Sequence, residues 1–592
     1  MSQLISAVIS AANALRQLPL DYPEAFAWYT LILRFVFPAL AIAMLAKVIR
    51  SLIQASPKPE VWAVLSLPNG AGEPLSHWEN LLGRGESNDV VLNYPVVSRQ
   101  HAALIRGEEG WTVYDLGSKS GTTVNGTPVG PDGAAMKLGD VLSLGGVETV
   151  LLPPPERKTA EKPEEKPVSP WGSLALLTFF QILTAFHFLL RGEEHILLVP
   201  VCFLCLTGVM WIYCTGMGAL GRTGFEMETI AFFLSTLSLA VTASSAPGSV
   251  PKQLAAIVLG IILFLILGVF LRDLERVKKI RWLMAAGAVG LLGLSLVLGQ
   301  VKYGAANWVS ILGMSFQPSE IAKICYIFAG AATLERLFRK RNLGLFIVLT
   351  GACMGCLALM SDFGTAAIFF VTFLVIAYLR SGDFATLALI CGGAVFGAFT
   401  LVSLKPYVLR RFASWGHVWE QASAGGYQQT RTMSAAASGG LIGVGPGEGW
   451  LHRVAAADTD LVFGMLCEEW GLIIAVLAVL CIVALAVFAV RCCRAGRSSF
   501  YAIAACAATS LLVFQTILNV LGSVDILPLT GVTFPFVSNG GSSMLSAWGL
   551  LAFLKAADTR RDASFAIRKQ TLHPPQWLSG SGTKKEAGHE KN

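Results

Sequence analysis

The strongest limit on what this chain can fold into is a succession of long apolar runs that fills almost everything after residue 170. They lie near 171–190, 195–214, 228–246, 251–272, 282–299, 319–336, 343–360, 363–380, 384–404, 461–490, 500–521 and 541–555, with one more from Trp28 to Ala46. A bilayer core takes about 20 apolar residues of helix to cross, and only structures that satisfy their own backbone can cross it. About thirteen such runs therefore predict a polytopic α-helical membrane protein. Composition agrees: 54% of residues are hydrophobic and 14% charged. The net charge of +7 then reports topology through its placement, and is no argument for nucleic-acid binding.

Basic residues gather at Lys47 and Arg50, at Arg272 to Arg281, at Arg336 to Arg341, at Arg491, Arg494 and Arg497, and at Lys555, Arg560 and Arg561. Alternation through the runs puts all of them on one side, the cytoplasmic side by the positive-inside rule. The loops 300–318, 405–460 and 522–540 then face outward. Residues 61–152 break the membrane pattern. Short alternating stretches ("VWAVLSL", "WTVYDLG", "DVLSLGG") are punctuated by Gly, Asn and Pro, which predicts an all-β block on the cytoplasmic side.

This divides the chain into an N-terminal region with an anchor helix (1–55), the β block (60–152), and a Pro/Glu/Lys linker (153–170). Two extra helices (171–222), a membrane core (226–560) and a basic, polar cytoplasmic tail (561–592) follow. The start lacks the basic n-region and cleavage site of a signal peptide, so the first run reads as an anchor. The twelve cysteines lie mostly inside apolar runs and read as reduced core residues. The CxxC pairs Cys202/Cys205 and Cys353/Cys356 lack the polar knuckle of a zinc site.

Carboxylates are rare inside membranes and mark function by default. "AAADTDLVFGMLCEEWG" (455–471) carries Asp458 and Asp460 at the mouth of an apolar run, then Glu468 and Glu469 within it. A helix from about Thr459 would place Asp460, Gly464, Cys467 and Glu468 on one face. The alternative is structural: a salt-bridged acid, or Asp458 as an N-cap. "SFQPSEIAK" (315–323) opens a run, with Glu320 and Lys323 as i,i+3 partners, either a lipid-neutralised pair or a cavity wall. Asp362 in "MSDFGTA" reads as a cap. Arg410 and Arg411 in "KPYVLRRFASW" suit a pyrophosphate, or anchor the loop to headgroups. "GGYQQTRTMSAAASGGLIGVGPGEG" (425–449) is too glycine-rich for an ordinary helix, and its backbone is open to close approach by a bulky ligand.

With "NWVSILGMSFQPSEIAK", "SDFGTA" and "ILNVLGSVDILPLTGVTFPFVSNGGSS", these segments stand in an order that resembles the SEDS family of membrane glycosyltransferases, the RodA/FtsW group, over about Glu226 to Ala557. The resemblance implies a core of about ten spans. It also implies polymerisation of peptidoglycan strands from lipid II, in elongation, division or sporulation. Asp460 falls on the family's essential aspartate, which implies a general base, with Glu320, Lys323, Arg410, Arg411, Asp458 and Glu468 in the substrate cavity. No cofactor is certain, and Arg410, Arg411 or a divalent cation (Mg or Mn) are the candidates for neutralising the leaving pyrophosphate. A class B penicillin-binding transpeptidase is the implied partner. Two departures stand out: Asp458 where the family usually has His, and Asn539 where it usually has Tyr.

The β block resembles a forkhead-associated (FHA) domain through "LLGRGESNDVVL", "VSRQHA", "DLGSKSGTTVNG" and "LGD". This implies a β-sandwich that binds a phosphothreonine-containing protein, with Arg84, Ser98, Arg99 and Lys119 near the phosphate. His101 and Asn125 would hold loops. Ser120 stands where Asn usually binds the peptide backbone, which leaves a purely structural module as the alternative. For the membrane core, the alternatives are a flippase for the lipid-linked precursor or a scaffold recruiting a phosphorylated partner.

Overall fold

The computed structural model describes residues 2–54, 61–154 (without 78, 87 and 107–109), 169–191, 197–332 (without 303–304 and 312–313), 340–381, 387–393 (without 389), 414–494, 498–560 and 562–564. The chain opens with a helix that the apolar-run reading did not find, α1 (Ser2–Asp21). Pro23 then starts α2 (Pro23–Gln54), where a missing N–H costs nothing.

The β block is a sandwich of two sheets, ordered β2-β1-β11-β10-β7-β8 and β4-β3-β5-β6-β9. The strands are β1 (Ala63–Ser66), β2 (Gly72–Leu75), β3 (Glu79–Gly83), β4 (Val90–Val91), β5 (Ala102–Arg106), β6 (Trp111–Asp115), β7 (Thr122–Val124), β8 (Thr127–Pro128), β9 (Ala134–Met136), β10 (Val141–Leu144) and β11 (Val147–Leu152). All the pairings are antiparallel except β3 with β4. Every second residue of a strand faces inward, so Leu65, Leu82, Leu104, Val113, Leu142 and Leu151 are completely buried between the sheets.

The membrane part begins with α3 (Trp171–Arg191) and α4 (Leu198–Ala219). It continues with α5 (Glu226–Ser245), α6 (Val250–Phe270) and α7 (Leu274–Leu298). A small hairpin sheet, β12 (Gln300–Lys302), β13 (Ala305–Ile311) and β14 (Met314–Phe316), precedes α8 (Pro318–Ala332), α9 (Lys340–Leu359) and α10 (Phe363–Ser381). After residue 414 come α11 (Tyr427–Gly439), α12 (Val462–Glu469), α13 (Gly471–Arg494), α14 (Ser499–Ser523) and α15 (Gly541–Ala557). Among the described residues eight helices are long and apolar enough to cross a membrane: α2 to α7, α13 and α14. The chain is thus a polytopic helical membrane protein with a β-sandwich on one end.

Several runs depart from the expectation. Run 384–404 lies mostly outside the described residues. Run 461–490 is two helices, because the chain turns at Gly471 with φ of 86° and passes so close to Leu441 that a Cβ there would stand 2.4 Å from its carbonyl oxygen. The helix expected from Thr459 begins only at Val462, so Asp460 lies in the turn before α12 and not on a helix face. The glycine-rich segment is a helix in its first half, α11, and a loop only from Gly440. Its glycines do permit close approach, but to the protein's own backbone. A Cβ on Gly439 would sit 2.0 Å from the Cys467 carbonyl oxygen, and one on Gly443 would sit 2.2 Å from that of Glu469.

Buried charges around the C-terminal end of α15 are matched. Lys555 of α15 meets Glu228 of α5 at 2.9 Å and the Gly224 carbonyl at 2.5 Å, and Tyr213 donates to the same carboxylate at 2.9 Å. Arg560 bridges Glu226 at 3.0 Å and Asp558 at 2.7 Å. Lys555, counted as a topology marker, is therefore an interior cation. Removing one member of such a pair strands the other, at a cost of about 3–5 kcal/mol. Lys555→Ala should lower the thermal unfolding temperature of the purified protein sharply, whereas Glu228→Gln with Lys555→Met should recover most of the loss.

Candidate functional site

Asp460 sits in a tight turn. Its N–H donates to the Ala456 carbonyl at 2.9 Å, and Ala456 takes φ of 60° to make the turn. Asn519 of α14 donates one amide hydrogen to the Asp460 carbonyl at 3.0 Å and the other to that of Val532 at 2.8 Å. That single side chain ties the acid-bearing turn to the loop after α14. In that loop Gly531 adopts φ of 72°, and a Cβ there would come within 3.3 Å of Asp460 Oδ2. Asp460 is half-buried, at the mouth of the bundle.

The two departures from the family pattern meet each other. Asn539 donates its side-chain amide to Asp458 Oδ2 at 2.8 Å and its backbone N–H to the Asp458 carbonyl at 2.8 Å. Ser245, at the end of α5, donates to the same Oδ2 at 3.0 Å, and Ser538 donates to the Thr459 carbonyl at 2.6 Å. A carboxylate opposite an amide is a matched acceptor and donor, so this contact joins the two loops.

Glu320 and Lys323 form a buried ion pair at 2.7 Å near the start of α8, with side chains 6% and 1% exposed. Lys323 also donates to Gln515 Oε1 of α14 at 3.2 Å, and Gln515 donates to the Thr533 carbonyl at 3.0 Å. Gln515 and Asn519 are one helical turn apart, about 6 Å along α14. The Glu320–Lys323 pair and the Asp460 turn are thus hung from adjacent turns of the same helix. Neither Gln515 nor Asn519 figured in the sequence reading, although a lone amide in an apolar run was the available signal. Asp362 caps α10, accepting from the Thr365 N–H at 3.1 Å, and also accepts from Asn307 at 2.8 Å.

Glu468 and Glu469, both buried, hold the glycine loop. Glu468 accepts from the N–H groups of Trp450 at 2.9 Å and Leu451 at 3.0 Å. Glu469 Oε2 accepts from the Gly447 N–H at 2.8 Å and from Ser244 at 2.7 Å. Glu468 therefore orients protein backbone beneath the Asp460 turn. Arg410 and Arg411 lie outside the described residues. Among the described residues no three His, Cys, Asp or Glu side chains are grouped as metal ligands. The carboxylates of the turn are Asp458, whose Oδ2 already serves two protein partners, and Asp460.

In the β-sandwich three loops converge. Arg84 and Gly85 donate their N–H groups to the carbonyls of Ser98 and Arg99, each at 3.0 Å. Ser98 Oγ accepts from the Lys119 N–H at 3.1 Å, and Ser120 donates to the Val96 carbonyl at 2.7 Å. Arg84, Arg99 and Lys119, on the loops that meet at Ser98, are exposed. His101 is fully buried and staples two loops: Nδ1 accepts from the Ser98 N–H and Nε2 faces the Gly121 carbonyl, both at 3.1 Å. That pattern requires the tautomer with its proton on Nε2. Asn125, at φ of 49°, accepts from the Val141 N–H at 2.9 Å. Two loop holders escaped the sequence reading. Asn88 donates to the carbonyls of Gly85 and Arg99, each at 2.7 Å. Asp115 gathers Gly117, Ser118 and Thr122 around its carboxylate.

Burial pushes the Asp115 carboxyl up, but the hydroxyls of Ser118 and Thr122 and the N–H groups of Ser118 and Gly117 outweigh it and hold it below the usual carboxylate range. A depressed carboxyl stabilises the fold above its unfolded value of about 3.9, and that contribution is lost as pH falls through the folded value. The thermal unfolding temperature of residues 61–154 expressed alone should fall as pH is lowered below about 4, with a shallower decline in Asp115→Asn.

Residues 223–563 match the family model for the cell cycle proteins FtsW, RodA and SpoVE, and residues 80–145 match that for the FHA domain. The probable peptidoglycan glycosyltransferase FtsW of Bacillus subtilis is 27% identical over 421 residues, 65% of this chain and 96% of that protein. The peptidoglycan glycosyltransferase RodA of Mycobacterium tuberculosis is 28% identical over 327 residues, 52% of this chain and 69% of that protein. The Coxiella burnetii FtsW is 31% identical over 268 residues, 43% and 71% of the two chains. The solved structure of the Thermus thermophilus rod shape determining protein RodA aligns at 24% identity and a TM-score of 0.43, over 57% of this chain and 97% of that one. The family match over more than half the chain settles the kinship: this chain belongs to the FtsW/RodA/SpoVE family of cell cycle proteins and carries an FHA domain ahead of its membrane core.

Proposed function

We propose that the protein is a peptidoglycan glycosyltransferase that polymerises lipid II, with Asp460 as its general base and a phosphothreonine-reading FHA domain on the opposite membrane face. The observation that carries the reading is the placement of the Asp460 turn: it precedes α12 and α13, and the β-sandwich meets the far end of α13. Glu79 of β3 hydrogen-bonds with Ser499, just past α13, and Arg491 of α13 hydrogen-bonds with the Ile53 carbonyl of α2. The 24 residues of α13 span about 36 Å, more than a hydrocarbon core. With Arg491 and Arg494, at the end of α13, on the cytoplasmic side, the acid turn faces outward, where lipid-linked disaccharide is consumed.

The chemistry follows from a carboxylate at that rim. Asp460 takes the proton of an acceptor sugar hydroxyl as its oxygen attacks the anomeric carbon of the second lipid-linked sugar. The bond to the pyrophosphate breaks, undecaprenyl pyrophosphate leaves with the electron pair, and the carboxyl later returns its proton to solvent. Asn519 and Gly531 fix where Asp460 stands. The Glu320–Lys323–Gln515 cluster gives the neighbouring interior a polar wall. Arg410 and Arg411, with a divalent cation as the alternative, would offset charge on the leaving group. The sandwich recruits a phosphothreonine protein through Arg84, Ser98, Arg99 and Lys119, and Ser120, turned onto the Val96 carbonyl, leaves selection beyond the phosphate weak. A class B penicillin-binding transpeptidase is the partner that would cross-link the product.

Purified Asp460→Asn protein should lose lipid II polymerisation by at least about 100-fold, measured by gel analysis of labelled glycan strands with and without magnesium. Activity equal to wild type would remove Asp460 from the mechanism. Arg84→Ala should abolish binding of a phosphothreonine peptide in a fluorescence polarisation titration while leaving polymerisation intact.

A further inference from the structure

Helix α3 lies outside residues 223–563, the part that matches the family, yet it reaches into the glycine loop beneath the Asp460 turn. His187, fully buried, faces the Pro446 carbonyl with Nε2 at 3.0 Å. One turn later Arg191 donates to the same carbonyl at 3.2 Å and pairs with Glu448 at 3.1 Å. The loop is shaped for this grip. Gly447 has φ of 72°, and a Cβ there would stand 2.9 Å from the Arg191 guanidinium. Gly445 has φ of 124°, and its Cβ would meet Thr30 of α2 at 3.1 Å. The imidazole itself is packed beside the rings of Phe26 and Tyr29, with centroids 6.4 and 6.0 Å away.

From Pro446 the contacts run on to the acids. The next residue, Gly447, donates to Glu469, which also holds Ser244, and the neighbouring Ser245 holds Asp458. Trp450 and Leu451, at the end of the loop, are fixed by Glu468 and lead into the turn that carries Asp460. We propose that His187 and Arg191 are positioning residues: α3, an addition to the family core, clamps the Gly443–Gly449 loop so that Asp458 and Asp460 stand in working register. A loop with positive-φ glycines has little intrinsic preference for one shape, so its order must come from its partners. Small displacements of a reacting group lower turnover steeply, by up to about 100-fold per ångström.

The inference rests on the polymerase reading for its kinetic arm only. In the full-length protein, Arg191→Ala should lower kcat for lipid II about 10-fold or more with KM within about 2-fold, and Arg191→Lys should restore most of it. Hydrogen exchange of amides 443–451 should quicken in Arg191→Ala and His187→Ala and return in Arg191→Lys. Unchanged exchange in both alanine variants would overturn the proposal whatever the kinetics, and so would faster exchange with unaltered kcat. Should wild-type protein fail to polymerise lipid II, or Asp460→Asn remain active, the functional reading fails instead, and the exchange result alone decides whether α3 holds the loop.

Discussion

A buried carboxylate needs donors, and in this molecule that requirement organises the half of the bundle that carries the Asp460 turn. Glu468 and Glu469 close the short helix α12 with carboxylates turned toward backbone N–H groups of the glycine loop. In a medium without water those N–H groups have few other partners, and neither do the acids. The acids take up three of those N–H groups, and the loop is thereby held against α12. The break at Gly471 follows from the same packing, because the loop passes where a longer, continuous helix would otherwise run. The short α12 is what frees residues 455–461 to form a turn that presents Asp458 and Asp460 at the surface of the bundle and not along a helix flank.

Much of this was legible in the residues. The apolar runs announced the helices, and the alternation of 61–152 announced the sandwich. The acids within apolar runs pointed to the region that the structure brings together. What stayed hidden follows from how each signal works. Periodicity reports that a segment is apolar, not that it bends, so the run 461–490 concealed a break. Glycine content suggested an approach to a ligand, but the closest atoms to Gly439, Gly443 and Gly471 belong to the chain's own backbone. Gln515 and Asn519 were single amides in a long apolar helix, and their importance lies in partners 192 and 59 residues away. Helix α1 has too many polar residues to read as a membrane run. Lys555 looked like a topology marker because its partner, Glu228, is distant in sequence.

The pairing of Asp458 with Asn539 shows how a second acid beside Asp460 can be read physically. Taken alone, a second acid two residues from Asp460 is an electrostatic problem. Taken with Asn539, it is one half of a contact that joins the turn to the 538–540 loop, with Ser245 completing it. The same logic separates loop holders from ligand contacts in the sandwich. His101, Asn88, Asn125 and Asp115 spend polar atoms on neighbouring loop residues, while Arg84, Arg99 and Lys119 extend from loops whose backbones are already fixed.

In the proposed arrangement the two ends of α13 lie on opposite faces of the membrane, with the β-sandwich on the cytoplasmic side and the Asp460 turn outside. Sidedness labelling measures this most directly, with single cysteines introduced at Ala455 and at Gly117 in a background cleared of native thiols. A membrane-impermeant maleimide added to intact cells should label position 455 and leave 117 untouched until the membrane is opened. Labelling of 117 from outside, or protection of 455 until lysis, would contradict it.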